Sequence, residues 1–377
     1  MFNRNKILSL LLIIFLILPF SCKKTNHKGQ NNKIKITDAL GREIEIPGKI
    51  QHVICSGAGC LRLITYLEAQ DKIVAVDDIE IKENIFDARP YALANPQFKN
   101  LPLFGEFRGF DNPELILALD PLPDLIFKTY SQSGHDPIEL QNKTGIPVVV
   151  LEYGDLGSNI NDFYNALQIM GKILNKEKRT EELVNFFNNC INDLNERTKN
   201  IPGNKKKSCF VGGIASRGPH GLQSTEPAYP PFKMVNADNK AYDKTKSPKE
   251  LTHADVAKEK IIEWDPEIIF IDLSTLQLDI KSNALYEIKN DTVYQELKAI
   301  KNEKIYGLLP YNWYTGNFGS IIANAYFIGK TLYPDFFKDI EPEKKADEIY
   351  TFLVKKPVFK QMNEDFENLA FKKILLK

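Results

Sequence analysis

Histidine and cysteine are scarce in this 377-residue chain, five of each, and neither type gathers into a cluster. A bare transition-metal ion needs three or four converging His, Cys or carboxylate side chains. His27, His52, His135, His220 and His253 are too scattered to provide them, so no metal site is expected. Cys55, Cys60, Cys190 and Cys209 form no C-x-x-C pair and show no regular spacing, which reads as buried free thiols rather than a disulfide framework. Net charge is absent too: 49 basic residues balance 49 acidic ones, leaving no bulk electrostatic case for nucleic acid. G-x-S-x-G, H-E-x-x-H and G-x-x-x-x-G-K-[ST] are missing, which removes the common hydrolase, metalloprotease and P-loop readings.

What is present starts with an address. Arg4 and Lys6 precede the apolar run Ile7 to Leu18, which has the form of a signal-peptide core and is shorter than the roughly 20 residues that span a bilayer. The run ends in Leu18-Pro19-Phe20-Ser21-Cys22, which resembles the lipobox of bacterial lipoproteins, with Cys22 as the lipidated residue of the mature N-terminus. Polar Lys, Asn, Gln and Gly then dominate, the composition of a disordered tether. Residues 1–22 are thus expected to be a lipoprotein signal peptide and 23–35 a tether.

"ITDALGREIEIP" alternates around Leu40-Gly41-Arg42 as a hairpin should. Strand and helix then alternate: a strand at 52–56, a helix from about Gly59 to Glu68, a second strand in "KIVAVDD". This is the grammar of a mostly parallel α/β sheet. An internal echo reinforces it. "NPELILALDPLPDLIF" (112–127) and "EKIIEWDPEIIFID" (259–272) each read as a short amphipathic helix, an Asp-Pro break and a buried strand, and each is followed by a further apolar strand, "TGIPVVVL" and "NEKIYGLLP". Between the copies, Asn159 to Lys199 is helical with a joint near Leu174-Asn175, and Pro202-Gly203 ends it. The predicted division is an N-terminal lobe at 36–157, linking helices at 158–203 and a C-terminal lobe at 204–377.

"VICSGAGCLRL" (53–63) opens like a dinucleotide-binding βαβ unit, with Asp77 about where a ribose contact would fall. Arg62, however, stands where the third glycine of that fingerprint allows helix and strand to pack closely.

The leader, "ITDALGREIEIPGKIQHVICS", the paired units ending "DLIF" and "EIIF", "GIPVVVL" and the central helix together resemble the bacterial substrate-binding proteins of iron-complex and corrinoid importers. "GGIASRGPHGLQSTEPAYPPF", "LLPYNWYTGN" and "KTLYP" look like the iron-complex branch. The resemblance implies an α/β fold of two Rossmann-like lobes with mostly parallel sheets joined by a long α-helix, a shallow cleft between them, and a permease with its ATPase as partners. It also implies a monomer that is lipid-anchored outside the cytoplasm, with no catalysis and no cofactor.

Ligands of open α/β sheets bind beyond the carboxyl ends of the strands. The candidate contacts are therefore Arg62, Arg89, Tyr91 and Arg108 in the first half, and Ser216, Arg217, His220, Tyr311, Trp313 and Tyr314 in the second. Several arginines beside aromatic residues suit a small anionic metal complex, its iron already wrapped by a chelator. Molybdate or tungstate would suit the same cations, and haem or a corrinoid would need a broader apolar cleft. The rival classes are a surface metallo- or redox enzyme built on His220 and Glu226, and a structural surface lipoprotein.

Overall fold

In a computed structural model, which describes residues 33–376 apart from Asn84, the echoed segments become matching sheets. The first has three parallel strands in the order Val53–Ser56, Leu125–Thr129, Val148–Leu151, with Val53 opposite Leu125 and Ile126 opposite Val148. The second repeats the arrangement with Ser208–Gly212, Ile268–Asp272 and Ile305–Leu308, and adds the short strand Asp238–Asn239 at one edge. Val, Ile and Phe fill these strands because helices cover both faces, and parallel sheets of this kind bury both sides of every strand. The expected fold class is what the chain adopts. Cys22 and the leader lie outside the described residues.

The hairpin pairs Lys33–Thr37 with Glu43–Pro47. Its turn is built on Asp38, whose carboxylate accepts from the backbone N–H groups of Leu40 and Arg42 and from the Arg42 side chain, and whose Oδ2 also takes the Val150 N–H at 3.2 Å. The strand begins at Lys33, so residues 33–35 belong to the hairpin and not to a tether. "KIVAVDD" yields a strand of only Val76–Asp77, since the register against Leu103–Glu106 shifts between those two residues.

The central helices run Ile160–Leu174 and Glu177–Thr198. The joint is Asn175, in the left-handed region at φ 55°, a conformation Asn tolerates better than most residues. The second helix carries Leu183, Phe187, Cys190 and Leu194 on its buried stripe; at 1.5 Å per residue, its 22 residues span about 33 Å. Cys55, Cys60, Cys190 and Cys209 are free and buried, as the spacing predicts.

The C-terminal region departs from the predicted division. Its helices Pro342–Val354 and Phe359–Asp365 cross to the first half: Phe366 stacks on Phe86 at 5.5 Å, and Asp365 accepts from the Asp87 N–H. Arg179 of the long helix donates to the carbonyls of Tyr66 and Phe352, tying that crossing to the spine. The chain's last residues return to the second sheet, where Ile374 and Phe371 donate to Ile305 and Gly307 and cover an otherwise open edge.

Candidate functional site

The loops at the carboxyl ends of the strands converge on a cleft of about 390 Å³. Ala58, Ile79, Phe107 and Arg108 line it from the first half; Ala215, Arg217, Gly218, Gln277 and the turn Asn312–Thr315 line it from the second. Backbone conformation is unusual here. Arg108 (φ 63°), Arg217 (58°), Tyr314 (50°) and Thr315 (63°) are all left-handed, a state costing L-residues about 1–3 kcal/mol each and found where surrounding contacts enforce it.

Arg108 and Arg217 are exposed, and neither has an ion-pair partner among the described residues. Every other described arginine is engaged: Arg42 by Asp38, Arg89 by Glu80 and Asp87, Arg179 by Glu68 and Glu182, Arg197 by Asp193 and Asp339, and Arg62 by a hydroxyl and backbone carbonyls. The two unneutralised guanidinium groups belong to loops from the two halves of the chain that line the same cleft. The Arg108 guanidinium lies 5.0 Å from the centre of the Phe107 ring, a cation–π placement that leaves its N–H groups available. Trp313 packs edge-on against Phe366 and supplies an apolar wall.

The remaining sequence candidates fall elsewhere. Arg62 is 1% exposed. From the buried face of the helix Cys60–Tyr66 it donates to the Tyr153 hydroxyl and to the carbonyls of Gly316 (2.8 Å), Trp313 (3.2 Å) and Tyr314 (3.3 Å). It thus shapes the cleft wall from behind and does not present its charge to a ligand. Arg89, 1% exposed, is sealed between Glu80 (3.0 Å) and Asp87 (2.8 Å), and the buried Tyr91 donates to Glu80 at 2.6 Å. Both sit in an internal charge cluster and neither lines the cleft. His220 folds back on the Ser216 carbonyl at 2.9 Å, with the His253 ring 5.8 Å away, and neither His220 nor Ser216 lines the cleft. Tyr311 is buried and donates to Glu226. That pairing leaves Glu226 joined to a phenol rather than to His220, and the two do not form a catalytic couple.

Tyr314 is half in agreement with its sequence assignment. Its ring borders the cleft, while its hydroxyl donates to Asp77 Oδ2 at 2.5 Å and accepts from the Arg108 N–H at 3.1 Å. Asp77 is therefore the buried partner of a tyrosine and not a ribose ligand. The G-x-G of "VICSGAGC" is explained by packing: a Cβ on Gly57 would lie 2.4 Å from the Thr129 carbonyl oxygen, and one on Gly59 2.3 Å from the Tyr153 ring. Ile79, Gln277 and Thr315 also line the cleft without having been singled out, since nothing in their type or spacing marks them.

Buried carboxyls surround this turn. Burial pushes Asp77 up to about 7, with the Glu80 charge adding to it. It likewise pushes Glu226 up to about 8 and Asp272 to about 7. No group of three or more His, Cys, Asp or Glu side chains able to hold a metal ion occurs among the described residues, nor is any described helix long and apolar enough to cross a membrane.

The sequence model of the periplasmic binding protein family matches residues 53–311. The chain belongs to that family. It is similar to the molybdate-binding protein MolA of Haemophilus influenzae, with 25% identity over 341 residues, covering 84% of this chain and 89% of that one. It is also similar to an uncharacterized ABC transporter substrate-binding lipoprotein, YvrC, of Bacillus subtilis, with 22% identity over 322 residues, covering 84% and 90%. A periplasmic solute binding protein from Veillonella parvula shares the fold with a TM-score of 0.66 at 18% identity, over 90% of this chain and 97% of that one. A member of this family is a substrate-binding component of an ATP-driven importer, works outside the cytoplasm, and delivers cargo without transforming it.

Proposed function

We propose that the protein captures an anionic metal complex, a ferric chelate, in the cleft between Arg108 and Arg217 and delivers it to a permease and its ATPase. The observation that carries this reading is the pair of unneutralised guanidinium groups, one from each half of the chain, lining one cleft. Guanidinium forks match carboxylate, catecholate or hydroxamate oxygens by paired hydrogen bonds. A space of about 390 Å³ lies within the roughly 300–1,000 Å³ range of small-molecule sites, and the Phe107, Trp313 and Tyr314 rings give an organic chelator apolar surface to rest on. Among the described residues no trio of His, Cys, Asp or Glu side chains could hold a naked ion, so the iron would arrive already coordinated.

A compact oxyanion is the second reading. It is favoured by the name of the Haemophilus influenzae relative, and the same two arginines would receive it. Cys22, directly after Ser21 and the apolar leader, is the proposed lipid attachment site, and the mature protein is proposed to act as a monomer on that anchor.

Native mass spectrometry of the purified protein, joined to elemental analysis, tests the cargo. Iron together with an organic mass supports the ferric chelate. Molybdenum or tungsten without an organic mass would transfer the assignment to the oxyanion, and calorimetric titration with a ferric catecholate and with molybdate ranks the two.

A further inference from the structure

Two tyrosines of the turn Tyr311–Gly316 rest on buried carboxyls. Tyr311 donates to Glu226 within its own half of the molecule. Tyr314 crosses to the other half, where its hydroxyl meets Asp77 and also receives the Arg108 N–H. The Arg108 side chain has no ion pair to locate it; it is placed by the neighbouring Phe107 ring and by its own backbone, which is left-handed at φ 63°. Two contacts enforce that backbone: the preceding Phe107 N–H bonded to Asp78 Oδ1 at 2.7 Å, and the Arg108 N–H bonded to Tyr314.

We propose that Asp77 and Tyr314 are positioning residues for cargo capture: Asp77 fixes the Tyr314 hydroxyl, and the hydroxyl fixes the backbone from which Arg108 faces the cleft. This rests on the reading of the cleft as an anion site. It adds that the shared Tyr314 hydroxyl, alongside the Arg62 bonds to the carbonyls of the same turn, sets the two halves of the site relative to each other before any ligand arrives.

The strength of such a brace depends on the proton at Asp77. Its Oδ1 is buried without a hydrogen-bond partner, so the carboxyl leans on Tyr314. Glu80, Asp78 and Arg89 are the charged groups that act on it, while Cys55 and Tyr91 lie within electrostatic reach of the pair. A carboxylate takes a stronger hydrogen bond from a phenol than a neutral carboxyl does. With burial holding Asp77 near 7, the brace is tight above that pH and slackens below it.

Residue-resolved amide hydrogen exchange of the ligand-free protein tests this without knowledge of the cargo. Tyr314→Phe keeps the ring and removes the hydroxyl; exchange at the Arg108 amide is expected to accelerate about tenfold or more at pH 8, the loss of one hydrogen bond. In the unaltered protein, protection at Arg108 corrected for intrinsic exchange should fall from pH 8 to pH 6. Asp77→Asn should flatten that profile, and Glu226→Gln should leave it in place. Equal protection in Tyr314→Phe, or a profile that survives Asp77→Asn, overturns the proposal.

A second arm titrates a ferric catecholate and molybdate. Whichever binds the unaltered protein should bind Tyr314→Phe about tenfold more weakly, and unchanged affinity also counts against the brace. If neither probe binds the unaltered protein, the anion-cleft reading fails while the exchange data still decide the brace. Circular dichroism melts establish that each variant is folded.

Discussion

Arg89 and Arg217 both sit in loops beside Pro or Gly, one just before the helix Pro90–Ala94 and the other after the strand Ser208–Gly212, yet the fold treats them in opposite ways. Arg89 is enclosed with Glu80 and Asp87, and its charge is cancelled before any ligand arrives. Arg217 stands exposed on a left-handed turn with no carboxylate beside it. The difference lies less in the arginine than in its neighbours. A cation becomes a binding group when the fold leaves it without a counter-charge, and a structural group when the fold provides one.

This contrast can be tested by removing each kind of arginine in turn. The largest effect is expected from Arg89→Ala, which strands two buried carboxylates without their partner; the urea-unfolding free energy should drop by about 3–5 kcal/mol. A loss under about 1 kcal/mol would show that the cluster does not depend on Arg89. Next, Arg217→Ala and Arg108→Ala should change stability by less than about 0.5 kcal/mol. Each should nevertheless weaken ligand binding by one to two orders of magnitude, the worth of one charged hydrogen bond at about 1.5–3 kcal/mol. Calorimetry on the two variants reads both quantities, and a stability loss without an affinity loss would erase the distinction from Arg89.

A third expectation concerns pH. Asp77, Asp272 and Glu226 hold their protons to about 7, 7 and 8 in the folded chain, whereas in the unfolded chain they release them near 4. Their contribution is therefore complete below about pH 4 and is lost as pH rises towards 7 to 8, since the unfolded state deprotonates first. The melting temperature should be lower at pH 8.5 than at pH 6, and Glu226→Gln should narrow the gap. A gap unchanged in that variant would remove Glu226 from the account. The tightening of the Asp77 brace at high pH thus accompanies a global loss: one local bond strengthens while burying the charge costs stability.

The smallest effect belongs to Arg197→Ala. Its partners Asp193 and Asp339 are well exposed, and such pairs contribute under about 1 kcal/mol. A larger change in the unfolding midpoint would blur the boundary between surface and sealed arginines.

Legibility in the sequence followed the range of the interactions. The echo of 112–127 in 259–272 announced two like sheets because an Asp-Pro break and an apolar strand are local patterns. Asn175 announced the helix joint for the same reason. Arg108, Arg217 and Trp313 line the cleft because they belong to strand-end loops, where the openings of α/β sheets lie. The local sequence does not reveal the partners of Arg62 and Tyr314, since Gly316 and Asp77 lie more than 200 residues away in each case. The crossing of the C-terminal helices was hidden likewise: nothing around Phe366 says that Phe86 awaits it.

The aromatic group behind the cleft has a consequence for how cargo is met. Phe318, which opens the helix directly after the Asn312–Gly316 turn, lies 4.1 Å from Phe163 and 4.9 Å from Tyr153, ring centre to ring centre. A displacement of that turn beyond small rotations would have to pull a ring out of a filled stack. A ligand accordingly meets a turn already in place, so that little ordering entropy of this segment is charged against affinity.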